Sequence, residues 1–305
     1  MWISSNIRSA YDGLSMELNS IQVEQTLPNA SKTDPRFDRD VTRQRRLPNV
    51  ILVGVNKGGT RALITYLDLH PDVVTAKPEV NYFGLYYGRG EEWYRNQMPP
   101  SMPDQLTMEK SPKYYEKAEA PQRIHAMNES MKILLVVRDP VDRSVSHWLH
   151  ACRNIRKLGN DTTFCQTYES SGVLKNDGDV EPKCAYIKRS SYAKFIENWT
   201  RFFPLRSQFH IVDGQKLVSD PVSELRKVET FLGLRHYFTQ KNFVFNKKIG
   251  FYCLPSDGGQ IRCLGKSKGV KHPALDLLVE AKLRKYFKPL NQRFYQIVGH
   301  DFGWR

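Results

Sequence analysis

Residues 49–55, NVILVGV, are dominated by Val, Ile and Leu without alternation, which predicts a short strand buried on both faces. Asn56 to Arg61 then gathers a lysine, two glycines, a threonine and an arginine into one tight turn. Ala62, Leu63, Tyr66, Leu67 and Leu69 follow at helical spacing. Further strands are expected at Val73 to Ala76, Gln105 to Glu109, Met131 to Val137 and Phe209 to Asp213. Helices are expected at Val141 to Cys152 after Pro140, at Ser191 to Phe203 before Pro204, and at Ser223 to Leu232 after Pro221. Two closing helices are read at Ala274 to Phe287 and Leu290 to Val298. Gly84 to Arg95 reads as a glycine- and aromatic-rich loop, and Asn154 to Lys183 as a polar insertion. Residues 1–47 lack periodicity and are mostly polar, as expected of a poorly ordered stem or linker, leaving 48–305 as one folded domain. The alternation of strands and helices implies an α/β protein: a doubly wound, mainly parallel sheet with helices on both faces.

Strand, glycine turn and helix start together make a phosphate cradle. Backbone N–H groups at a helix N-terminus face an anion, glycines let the main chain approach it, and Lys57 adds a mobile charge. An ordinary strand-to-helix turn has the same outline. The nucleoside-triphosphate version, GxxxxGK[ST], is not met, because the lysine precedes the glycines; this argues against an ATPase or GTPase. Ligands of such sheets bind beyond the carboxyl ends of the strands. Lys57 and Arg138 both fall just past a predicted strand end, so two phosphate-directed groups are expected to converge there.

Charge changes the picture of the partner. With 46 Lys+Arg against 32 Asp+Glu in 305 residues, the net charge of +14 implies a polyanion. The basic residues recur through the chain rather than forming a tail, and no nucleic-acid module with interleaved aromatics stands out. No run approaches the about 18 apolar residues of a membrane span, and Met1 to Asn19 lacks a signal-peptide core. Glycosylation sequons at Asn29, Asn128, Asn160 and Asn198 favour a secretory chain. Cys253 and Cys263 bracket a polar loop that suits a small disulfide, while Cys152, Cys165 and Cys184 leave one thiol over if two of them join. No His, Cys, Asp and Glu set has zinc spacing.

The ordered set KGGTR, EVNYF, EKSPKYY, RDPVDRSVSHW, GFYC…C and CLGKSKG resembles the Golgi heparan sulfate glucosamine 3-O-sulfotransferases, from Leu47 to the terminal GHDFGWR. The resemblance implies a P-loop-like sulfotransferase fold with 3′-phosphoadenosine 5′-phosphosulfate (PAPS) as donor, no required metal, a heparan sulfate or heparin acceptor, and the Golgi lumen. The family's membrane tether is not seen in this sequence. By resemblance, Lys57, Gly58, Gly59, Thr60 and Arg61 hold the 5′-phosphosulfate, and Arg138 and Ser146 the 3′-phosphate. Tyr252 and the segment Lys268, Gly269, Val270, Lys271 and His272 close over the nucleotide. Glu79 is the implied base for the sugar hydroxyl, with Lys57 stabilising the leaving oxygen. Lys110 and Lys113 meet sulfates and carboxylates of the polysaccharide.

Departures from the family concentrate on the acceptor side. The relatives commonly have His and Asp where this chain has Asn81 and Gly84, Gln where it has His150, and Arg where it has Val270. An altered acceptor preference or a reduced rate is therefore expected. Two alternatives follow: a Golgi sulfotransferase acting at another glucosamine position, and a heparin-binding protein with weakened catalysis.

Overall fold

The computed structural model describes residues 42–159, 163–255, 261–264 and 272–304. Its first half contains β1 (Gln44–Arg45), β2 (Val50–Gly54), α1 (Thr60–Leu67), β3 (Val73–Thr75), α2 (Gly90–Asn96), β4 (Pro100–Ser101), β5 (Leu106–Lys110), α3 (Ala120–Met127) and β6 (Lys132–Val137). The second half contains α4 (Pro140–Lys157), α5 (Ala185–Lys188), α6 (Ala193–Thr200), β7 (Phe209–Asp213), α7 (Lys216–Ser219) and α8 (Pro221–Leu232). It ends with β8 (Val244–Asn246), β9 (Phe251–Pro255), β10 (Ile261–Arg262) and α9 (Leu277–Val298).

Five strands form one parallel sheet in the order β3–β5–β2–β6–β7, with β2 at its centre. Every residue of β2 is buried, and the period of two divides its side chains between two cores. Val50 and Leu52 pack with Leu63 and Leu67 of α1 and Leu225 and Val228 of α8. Ile51 and Val53 pack with Ile124 of α3, Ile196 and Trp199 of α6, and Phe294 of α9. Helices thus cover both faces, as the continuous apolar strands require. Burying each of these side chains contributes about 1.5–3 kcal/mol.

Three expectations need correction. The segment read as a loop at Gly84 to Arg95 is largely helical: a π-turn spans Tyr82–Tyr86 and α2 begins at Gly90. Its aromatic rings cause this by packing inward, with Tyr82 stacked on Tyr94 at 4.3 Å between centroids. The two closing helices are one, α9, with Pro289 inside it. A proline costs an interior helix about 3 kcal/mol; burial of Leu283, Phe287 and Phe294 on one face exceeds that. The helix begun after Pro140 runs on to Lys157, into the segment read as insertion.

A second, antiparallel sheet, β10–β9–β8, had no sequence forecast. The Cys253–Cys263 disulfide joins β9 to the residue after β10, with Cα atoms 4.4 Å apart. Cys152 pairs with Cys165, leaving Cys184 as the thiol. Each small ring contributes roughly 3 kcal/mol in the loop-entropy model. Among the described residues no helix is long and apolar enough to cross a membrane.

Candidate active site at the strand tips

At the end of β2 the chain leans onto β6, where Val55 N–H donates to the Val136 carbonyl at 2.9 Å. Gly58 N–H then returns to the Val55 carbonyl, also at 2.9 Å. Lys57 stands at φ +75° and Gly59 at φ +126°, so the turn is left-handed on both sides of Gly58. Nothing larger than glycine fits at position 58, because an added Cβ would lie 2.5 Å from the Val136 carbonyl oxygen. Gly59 is the N-cap of α1 and offers no capping side chain. The first N–H groups of α1 therefore face whatever lies beyond the strand tip, which suits an anion. Thr60 is buried at the helix start and Arg61 is exposed.

Arg138 follows β6, the neighbouring strand, directly. Its Nη2 lies 3.1 Å from Asp142 Oδ2. Asp139 caps α4, its carboxylate accepting the N–H groups of Val141 and Asp142 at 2.8 and 3.2 Å. The Tyr192 hydroxyl donates to the Arg138 carbonyl at 2.8 Å, and Arg284 of α9 reaches Asp139 at 3.2 Å. Trp304 packs edge-on against the Tyr192 ring at 5.6 Å. Ser146 is half-buried two helical turns further on. His272 sits 3.9 Å from Asp142, and its pKa is pushed below the ordinary histidine value by burial first, then by Arg138, with Lys57 adding to the effect and Asp142 opposing it. The Lys57 turn and the Arg138 turn follow neighbouring strands of the sheet, β2 and β6.

On the other side of β2, Lys110 lies opposite Leu52 at the tip of β5. Its ammonium pairs with the Glu79 carboxylate, which is 40 % exposed against 14 % for the lysine. Asn81 adopts a left-handed conformation, φ +55°, and donates its backbone N–H to Ser111 Oγ at 2.9 Å. The Ser111 hydroxyl donates in turn to Glu109 Oε2 at 3.0 Å. Glu109 is completely buried and also accepts from the Tyr94 hydroxyl at 2.9 Å. Burial raises its pKa, hydrogen bonds from Tyr114, Tyr94 and Ser111 oppose this, and the nearby Glu79 charge adds to the rise. Lys113 is half-buried next to this turn.

The remaining expected residues are spread further. The Tyr252 carbonyl accepts from Tyr66 of α1 at 3.3 Å, and its ring meets Phe245 at 5.2 Å, so it pins the small sheet to the cradle helix. His150 Nε2 lies 3.4 Å from Asn154 Nδ2 on α4. Lys268, Gly269, Val270 and Lys271 lie outside the described residues.

Sequence reasoning missed a buried basic block behind the cradle. Arg143 and His147 are fully enclosed, and Arg189 pairs with Glu116 at 2.5 Å while approaching His147 at 3.4 Å. Burial first, then Arg143 and Arg189, holds the pKa of His147 well below the usual range. The available signal was an arginine on the apolar face of α4, among Val141, Val145 and Trp148. Among the described residues, no group of three or more His, Cys, Asp or Glu is arranged to hold a metal.

A parallel sheet whose two central strands end in a glycine cradle and an Arg-Asp-Pro turn defines a sulfotransferase, and the sulfotransferase domain family model matches residues 47–296. The fold is that of the sulfotransferase from Alicyclobacillus acidocaldarius, with a TM-score of 0.61 at 21% identity over 84% of this chain and 98% of that one. Human heparan sulfate glucosamine 3-O-sulfotransferase 5 is 43% identical over 90% of this chain and 78% of its own length. Human heparan sulfate glucosamine 3-O-sulfotransferase 6 is 41% identical over 86% and 75%. The chain belongs to the heparan sulfate glucosamine 3-O-sulfotransferase family.

Proposed function

We propose that this chain transfers the sulfuryl group of PAPS to the 3-hydroxyl of a glucosamine in heparan sulfate, with Glu79 as base. PAPS supplies the activated sulfuryl group, and the protein supplies position, charge and the proton acceptor. The turn from Lys57 to Arg61 offers one ammonium and the first N–H groups of α1 to the 5′ end. Arg138, Ser146 and His272 flank the 3′ end, with Tyr252 closing over the nucleotide. An arginine fork binds a phosphate through paired charge-assisted hydrogen bonds.

Support for the acceptor assignment comes from one juxtaposition: Glu79 is held by Lys110 at the tip of the strand next to the cradle. A sugar hydroxyl entering there meets a carboxylate within hydrogen-bond reach, as general-base catalysis requires. The leaving oxygen then develops charge beside Lys57, where a preorganised cation lowers the barrier. Asn81, Lys110, Lys113 and His150 line the acceptor path in this reading. Residues 48–305 form the catalytic domain, residues 1–47 a stem, and the Golgi lumen is the working compartment, in keeping with two disulfides.

The test is incubation with labelled PAPS and defined heparan oligosaccharides, followed by disaccharide analysis. Label on the glucosamine 3-hydroxyl supports the proposal. Label only on the amino group or the 6-hydroxyl reassigns the acceptor, and no transfer at all leaves a heparin-binding scaffold.

A further inference from the structure

Helix α4 carries the Arg-Asp-Pro turn at its start and, little more than one turn later, buries Arg143 completely. A guanidinium has five N–H donors in a fixed plane, and a buried one needs acceptors for them. Nε of Arg143 donates to the Asn56 carbonyl at 2.9 Å. Nη1 donates to the Tyr186 carbonyl and to Ser190 Oγ, both at 3.2 Å, and Nη2 faces His147 Nδ1 at 3.3 Å. Even though burial lowers its pKa to about 10, Arg143 stays charged at neutral pH.

Asn56 immediately precedes Lys57, whose positive φ is unfavourable for a residue with a Cβ. The Asn56 carbonyl and the Lys57 N–H belong to one planar peptide group. Gripping the oxygen therefore fixes the plane from which Lys57 departs. A small crevice lined by Val55, Asn56, Tyr115, Glu116, Arg143 and Arg189 among others lies against the same peptide.

We propose that Arg143 is a positioning residue of the donor site, which holds the Asn56–Lys57 peptide so that the left-handed turn aims Lys57 and the cradle N–H groups at the 5′ end of the nucleotide. The same side chain ties that turn to the helix bearing Arg138, so the two phosphate-directed groups keep one spacing. This inference rests on the donor-site reading given above. Its signature is selectivity: loss of Arg143 weakens what the 5′-phosphate contributes and spares what the 3′-phosphate contributes.

Calorimetry reads this with two ligands, adenosine 3′,5′-bisphosphate and adenosine 3′-monophosphate, on the wild type, Arg143→Lys and Arg143→Met. Both variants are expected to bind the bisphosphate roughly ten- to a hundredfold more weakly and the 3′-monophosphate as the wild type does. The lysine variant keeps the charge but not the planar fork, so full rescue by lysine overturns the positioning role. An equal fall for both ligands also overturns it, because that is the mark of general loosening. If Arg143→Met does not fold, Ser190→Ala removes one anchor of the guanidinium and should shift the ratio in the same direction by less; an unchanged ratio there and in Arg143→Lys counts against the proposal. A wild type that binds neither nucleotide defeats the donor-site reading and this inference with it, whereas a binding wild type with variants of unchanged ratio defeats this inference alone.

Discussion

The two halves of the proposed site are built from different materials. The donor half is mainly backbone: a left-handed turn over Val136, an uncapped helix start and an Arg-Asp-Pro turn braced by Tyr192 and Arg284. The acceptor half is mainly side chain: a half-exposed Glu79 steered by one lysine, and Asn81 anchored through Ser111 to a buried glutamate. A main-chain cradle tolerates almost no substitution at the residues that shape it, while a side-chain cluster changes chemistry with one residue. The departures expected from the resemblance fall at Asn81, Gly84 and His150 on the acceptor side and at Val270 on the donor side, while the cradle keeps KGGTR.

The largest effect that separates the halves is expected from Glu79→Gln. Turnover should fall about 10²- to 10⁴-fold with nucleotide affinity unchanged, measured by initial rates and calorimetry; wild-type turnover would remove Glu79 as the base. Lys57→Ala should cost about 10²–10³ in kcat and also weaken the nucleotide, because the lysine serves both ground state and leaving group. Arg138→Ala should raise the nucleotide Kd by roughly ten- to a hundredfold while kcat at saturating donor stays near wild type.

A smaller effect concerns pH. His272, beside Arg138, Lys57 and Asp142, has a pKa below the ordinary value in the unliganded protein. A phosphate dianion at Arg138 raises it, so binding takes up a proton and affinity strengthens as pH falls from neutral through the histidine range. Calorimetry in buffers of different ionisation enthalpy should detect that proton, and His272→Gln should abolish it. The smallest effect is expected from Gly84→Asp. A Cβ there makes only ordinary contacts, 3.9 Å to Lys117 and Tyr114, so the fold should accept the carboxylate. A change in acceptor preference with an unaltered donor KM would confine position 84 to the acceptor half.

Sequence alone made the donor half legible for a physical reason. Buried parallel strands read as apolar runs, and the glycines and proline that follow them mark where main chain must turn closely, as Gly58 does against Val136. The Glu79–Lys110 pair was less legible, since two residues 31 apart meet only after β3 and β5 align. The buried Arg143 was missed because a charge on a helix is ordinarily read as solvated surface. The β8–β10 sheet escaped because its strands are short and its exposed faces carry Phe245 and Ile261, without a clean alternation. The unbroken α9 was missed because Pro289 is a local signal and the burial that overrides it is tertiary.

The brace from Arg284 to Asp139 spans 145 residues of sequence. A chain emerging in order has its glycine turn and its Arg-Asp-Pro turn long before the helix that steadies them arrives. Contacts of such separation form late in folding, after their loop-closure entropy has been met. The nucleotide pocket is thus a feature of the finished domain rather than of its N-terminal half, and ligand-dependent protection of this protein during maturation should be seen only once α9 has docked.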